Sequence, residues 1–166
     1  YKDLEDYLTF FGYSGAVMQK PEYLERIAYE LALDNQAEGV RYIEVRFAPQ
    51  LHINDIMDME TVLKSVNKGL EKAQKRFNRR KAIVNGKEPP FHYGIIVSAM
   101  RNFGPWSHYY SELINSLPYS SQTEIGSLAS LELAKGAIKI RDKLGIPICG
   151  FDLAGNEPGN PAADHE

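Results

Sequence analysis

Apolar and polar positions along this chain follow two periods in turn, and the switches between them mark its elements. After Pro21, a residue suited to a helix's first turn, Leu24, Ile27, Ala28 and Leu31 recur at helical spacing. Gly39 supplies a stop, and Val40 to Phe47 then alternates as a strand ending at Pro49. Asp58 is placed to cap a second helix with an apolar face of Val62, Leu63, Val66, Leu70, Ala73 and Phe77. Asn85-Gly86 and Pro89-Pro90 punctuate a loop, and Phe91 to Ala99 reads as the next strand. A third helix is predicted over about Thr123 to Leu144, carrying Leu128, Leu131, Ala134, Ala137 and Ile138 and stopped by Gly145. The last strand is the short apolar run from Ile146 to Phe151.

Strands therefore begin near positions 40, 91 and 146, each after a helix. That order implies a parallel sheet with right-handed crossovers. Tyr42-Ile43-Glu44-Val45-Arg46 and Ile95-Ile96-Val97-Ser98-Ala99 set charged or small residues among apolar ones. Barrel strands accept this, because one face looks inward and the other meets helices. The expected fold is α/β: a partial TIM (β/α)8 barrel of about three helix–strand units, with residues 1–166 as one domain. A closed barrel needs eight strands and about 250 residues. A short helical insertion is expected at about 103–120, where Trp106, Tyr109, Tyr110, Leu113 and Ile114 cluster.

Composition narrows the partners. Hydrophobic content of 43% and charged content of 25% are those of a soluble globular domain. A net charge of −3 gives no footprint for nucleic acid. Lys75, Arg76, Arg79, Arg80 and Lys81 form a basic run at a helix end, where complementing the dipole is favoured over phosphate binding. No stretch approaches the roughly 18 apolar residues of a membrane span, so no membrane partner is expected. No secretory signal precedes Tyr1, and the chain starts within an amphipathic pattern, which reads as a piece of something larger. Cys149, the single cysteine, cannot pair internally and is expected to be a buried structural thiol. Its solitude suits a reducing compartment, and a cytoplasmic location is expected.

The candidate chemistry lies in Gly150-Phe151-Asp152-Leu153-Ala154-Gly155-Asn156-Glu157, where the last strand gives way to an acid, two small residues, an amide and a second acid. A carboxylate at the end of a buried strand is costly to desolvate and must have partners. In parallel α/β sheets and barrels, ligands collect at that end of the strands.

Several segments, taken in order, resemble the adenosine deaminases. They are Leu4 to Phe11, Arg26-Ile27-Ala28-Tyr29-Glu30, Glu38 to Pro49 with Tyr42-Ile43-Glu44-Val45-Arg46-Phe47-Ala48-Pro49 at its centre, Met100-Arg101, and Gly150 to Glu157. The resemblance implies a zinc-dependent barrel hydrolase that converts adenosine to inosine and ammonia. Zinc lowers the pKa of bound water to about 7, and a nearby carboxyl group shuttles protons to N1 and to the leaving amine. The family's His-X-His and His-Ala-Gly-Glu segments do not occur in this sequence. The resemblance thus implies a fragment without metal or catalytic residues of its own, partnered by the remainder of the barrel in cis or as another chain. It also implies that the Gly155 N–H donates to purine N3, and that Leu8 and Phe11 form an apolar gate over the nucleoside. Asp152 would orient catalytic side chains from beside the site, and Asn156 and Glu157 would tie the loop down. Plainer roles stand beside these: a tight-turn glycine at 155, ordinary core at Leu8 and Phe11, an acceptor of loop N–H groups at Asp152.

Among the other charged residues, Glu44 and Arg46 share a strand face and fit an internal ion-pair network better than chemistry. His52 is expected in an exposed loop, His165 in solvent, and His92 at the strand end away from the rim. Two alternatives stay open: a deaminase of adenine or another 6-aminopurine nucleoside, and a non-catalytic truncated module.

Overall fold

The computed structural model describes Lys2, Tyr7 and residues 10–165. Three parallel strands lie in the order of the sequence: β1 (Tyr42–Phe47), β2 (His92–Met100) and β3 (Ile148–Ala154). Between and before them run helices α1 (Phe11–Val17), α2 (Pro21–Ala37), α3 (Met59–Asn78), α4 (Lys81–Val84), α5 (His108–Ser116) and α6 (Gln122–Leu144). Short 3-10 turns at Pro49–Leu51 and Ala162–His165 complete the described elements. A helix before each strand and a parallel register make this a sector of a (β/α) barrel, as the hydrophobic pattern implied.

Local chemistry fixes the ends. The Asp58 carboxylate caps α3 by accepting from the Thr61 N–H at 2.8 Å. At the start of α6, Ser121 and Glu124 form a reciprocal capping box, and Gly145 ends the helix at φ +67°. One core joins the helices to the sheet: Leu24, Ala28 and Ala32 of α2, Val62, Leu63, Val66 and Leu70 of α3, Ile95 and Val97 of β2, and Leu133 and Ala137 of α6. Helices α2 and α3 pack closely because Gly69 carries no side chain, since a Cβ there would run into the Glu25 carbonyl. A second cluster, Phe103, Tyr110, Ile125 and Ala129, seats α5 against α6. At its centre buried Gln50 accepts from the Tyr110 hydroxyl at 2.9 Å and donates to the Ala129 carbonyl at 2.8 Å.

Two faces of the sheet differ sharply. Ile43, Val45 and Phe47 turn to the helices, whereas Tyr42, Glu44 and Arg46 turn to the open side. In β3 the alternation is shifted by a bulge. Ile148 pairs with Ile95 but Gly150 with Ile96, so Cys149 is an extra residue. Ile148 still packs on the core, while Gly150 lies over Ile96 and Asp152 reaches Arg46 on the open side.

Several sequence expectations are corrected. The last strand continues through Asp152 to Ala154 instead of breaking off after Phe151. Cys149 is exposed at the bulge, its thiol 3.5 Å from the Ile95 carbonyl, because the extra residue turns it to the open face. On α6, Leu128, Leu131 and Ile138 are exposed; the buried stripe is Ile125, Ala129, Leu133, Ala137 and Ile140. The helix carries two apolar stripes, and only one meets this core.

Candidate functional site

The C-terminal ends of the strands gather three loops: Ala48–Gln50 after β1, Arg101–Phe103 after β2, and Gly155–Asn160 after β3. The second and third are tied together. Arg101 donates its backbone N–H to the Ala154 carbonyl at 2.7 Å, and the Asn102 side-chain oxygen accepts from the Asn156 N–H at 3.0 Å. Gly155 sits between these contacts at φ +108°, a backbone conformation that L side chains rarely adopt. A Cβ on it would lie 2.6 Å from Asn102 Oδ1. Space and backbone both demand glycine here, and the residue stands against the tip of β2.

The Arg101 guanidinium holds the rest of the loop. It donates to the Asn160 carbonyl at 3.2 Å and approaches Glu157 at 3.5 Å. Asn160 in turn donates to the Asn156 and Pro158 carbonyls, each at 3.1 Å. Glu157 is 73% exposed, so its pair with Arg101 is a loose tether. Arg101 Nε is buried without a partner among the described residues.

Asp152 lies on the open face of β3, where its Oδ2 accepts from Arg46 Nη1 at 2.6 Å. Glu44 and Arg46 share that face but do not pair with each other. Glu44 accepts from the Tyr42 hydroxyl at 2.7 Å, which pushes the Tyr42 pKa up to about 12. Phe11 opens α1 and is 54% exposed, with its ring edge-on to Tyr7 at 5.2 Å. Leu8 lies outside the described residues.

The four histidines are scattered. His52 is buried, against expectation, because the Met18 carbonyl stands 3.1 Å from its Nδ1 and the Phe47 ring packs beside it. Burial lowers its pKa, and the contact with the Met18 carbonyl partly offsets that. His165 is also not in solvent: its Nδ1 is 2.7 Å from the Ser130 hydroxyl and its Nε2 is buried. His92 begins β2 and is exposed, and His108 stands 3.6 Å from Asp55. Among the described residues no three His, Cys, Asp or Glu side chains converge to hold a metal ion. These residues therefore do not fit a zinc site. Two concavities lie along α2 and α3, away from Gly155; the larger, about 370 Å³, is lined by Leu33, Gln36, Ala37, Arg76, Phe77 and Arg80. No described helix is long and apolar enough to cross a membrane.

Sequence reading singled out Gly155, Asp152 and Glu157 but missed Asn102 and gave Arg101 no role. The Met100-Arg101-Asn102 turn had a signal: two hydrogen-bonding side chains directly after a strand, at the end where ligands collect.

Comparison with known proteins agrees with this architecture. The family model described as adenosine deaminase matches residues 1–165. The adenosine deaminases of Mycobacterium avium (strain 104) and Mycobacterium leprae (strain TN) are each 35% identical to it over 162 residues, covering 98% of this chain and 35% of theirs. That of Mycobacterium marinum (strain ATCC BAA-535 / M) is 33% identical over the same length. The chain spans about a third of the length of these curated relatives. A solved amidohydrolase from Burkhoderia ambifaria, described with bound Zn, superposes with a TM-score of 0.57 at 16% identity, over 89% of this chain and 30% of its own. That likeness concerns the fold alone. Sequence and architecture together make this chain a member of the adenosine deaminase family.

Proposed function

We infer that the chain is a sector of an enzyme that hydrolyses the 6-amino group of adenosine, with water replacing the amine at C6 and inosine and ammonia leaving. The observation that carries this reading is the Gly155 turn. Gly155, held at φ +108° against the tip of β2, brings backbone without a side chain to the strand tips, and such backbone approaches a flat ring closely. In this reading the Gly155 N–H donates to purine N3. Arg101, Asn102 and Glu157 hold its loop still, and Leu8 and Phe11 close an apolar gate over the nucleoside. Asp152 orients a catalytic side chain delivered from elsewhere in the barrel. Zinc, the cofactor the family implies, would supply activated water in the complete enzyme. The described residues offer it no donor set, and no step through the metal is assigned to them.

The decisive assay measures ammonia release from adenosine and from adenine by the full-length protein. Preference for adenosine is expected; turnover of adenine alone transfers the reading to a base deaminase, and turnover of neither removes it. For the isolated chain, the scattered donors among the described residues favour a module that acts only when joined to further barrel units. Stoichiometric zinc and ammonia release from the isolated chain would refute that.

A further inference from the structure

One ion pair on the open face spans three strands. Arg46 belongs to β1 and Asp152 to β3, so two strand spacings of about 4.8 Å each separate their backbones. Arg46 Nη1 nevertheless reaches Asp152 Oδ2 at 2.6 Å. Small residues clear the path, because Gly150 lies opposite Ile96 and Ser98 opposite Asp152. Ser98, on the strand between them, is 1% exposed, and its hydroxyl has no partner among the described residues. A buried polar group left unsatisfied is destabilising, a cost that alanine would avoid. The arginine and aspartate side chains are 60% and 35% exposed, and pairs so open to water contribute little to stability. Stability therefore explains neither the unpaired hydroxyl nor the bridge beside it.

The direction of the pair supplies an explanation. Arg46 engages Oδ2 and leaves Oδ1 for another donor, on the residue directly opposite Ser98 and three before Gly155. We propose that Arg46 is a positioning residue: it fixes the Asp152 carboxylate so that Oδ1 and the Ser98 hydroxyl jointly hold a polar catalytic side chain arriving from another part of the barrel. The inference rests on the deaminase reading and extends it to Arg46 and Ser98, which that reading does not require as functional partners of Asp152.

The test uses the full-length protein with Arg46→Met, Arg46→Lys, Ser98→Ala and Asp152→Asn. Arg46→Met is expected to lower kcat on adenosine roughly 10- to 100-fold with KM nearly unchanged, the usual size for a residue that orients a catalytic group. Arg46→Lys, which keeps the charge, should recover part of the loss. Combining Arg46→Met with Asp152→Asn should cost little more than the worse single change, because both remove one device. Ser98→Ala should lower kcat without lowering the melting temperature. Unchanged kcat in Arg46→Met, or losses that track melting temperature across the set, would overturn the proposal. If the wild-type protein deaminates nothing, the functional reading fails and the proposal falls with it. In that event, slowed exchange of the Arg46 guanidinium protons, abolished by Asp152→Asn, would still show the pair as a purely structural bridge.

Discussion

Replacing Gly155 with alanine tests the geometry on which the site depends. At φ +108° an alanine is strained by about 1–3 kcal/mol. Its Cβ would also stand 2.6 Å from Asn102 Oδ1, so that side chain must move and release the Asn156 N–H. Losing that hydrogen bond adds about 0.5–1.5 kcal/mol. The sum, about 1.5–4.5 kcal/mol, corresponds to a drop of roughly 3–18 °C in melting temperature for a domain of this size. Gly159 is the internal control. It lies in the same loop with φ +78°, and nothing stands within 4 Å of its missing Cβ. Gly159→Ala should therefore cost only backbone strain, about 1–2 kcal/mol. Thermal melts of both variants, and of Gly155→Ala combined with Asn102→Ala, separate the two contributions. In the double variant the steric part disappears, so the two changes should cost less together than their sum. A Gly155→Ala protein no less stable than Gly159→Ala, or strict additivity with Asn102→Ala, would refute the reasoning. The purine reading adds that Gly155→Ala weakens adenosine affinity in the full-length protein while Gly159→Ala does not.

Three further outcomes follow from the same contacts. Tyr110→Phe deprives buried Gln50 of its donor and should cost about 1–3 kcal/mol in urea unfolding; a loss no larger than that of the fully exposed Tyr119→Phe would count against the buried network. Glu60 accepts from Lys64 at 2.6 Å and Lys143 at 2.9 Å, which holds its pKa at about 2. Its contribution is complete above the ordinary value of 4.5 and is lost as pH falls toward about 2, so the advantage of wild type over Glu60→Gln should shrink between pH 6 and pH 3. Equal differences at both pH values would exclude this linkage. His52 has the opposite charge type but the same sign of slope: burial lowers its pKa, so the unfolded chain binds the proton more readily and stability falls as pH drops below about 6.5. His52→Gln should flatten that part of the stability–pH curve, and an unaltered slope would show that another group governs it.

Much of the fold was legible because several helices announce their ends. Asp58 and Gly145 are capping residues whose chemistry acts over three or four positions, whereas the Ser121–Glu124 capping box went unread and the helix start was placed at about Thr123. Periodicity located α6 but not its buried side, since Leu128 and Leu131 repeat at helical spacing as convincingly as Ile125 and Ala129. Only the position of the sheet decides between the stripes. His52 was misjudged for a related reason: the carbonyl beside it belongs to Met18, 34 residues earlier, and no local pattern brings the two together. At the site, Gly155 and Asp152 could be read from the strand-to-loop transition. Their partners could not, because Asn102 is 54 positions from Asn156 and Arg46 is 106 from Asp152.

The bulge at Cys149 decides more than the local bend of β3. Side chains alternate strictly along a strand, so one surplus residue exchanges the two sides for everything downstream. Deleting Cys149 would bring Asp152 under the helix layer, among aliphatic neighbours that offer a carboxylate no counter-ion, and would turn Leu153 out toward Arg46. A single residue of chain length thus acts as a parity bit, setting whether this acid faces the open side of the sheet or the helix layer.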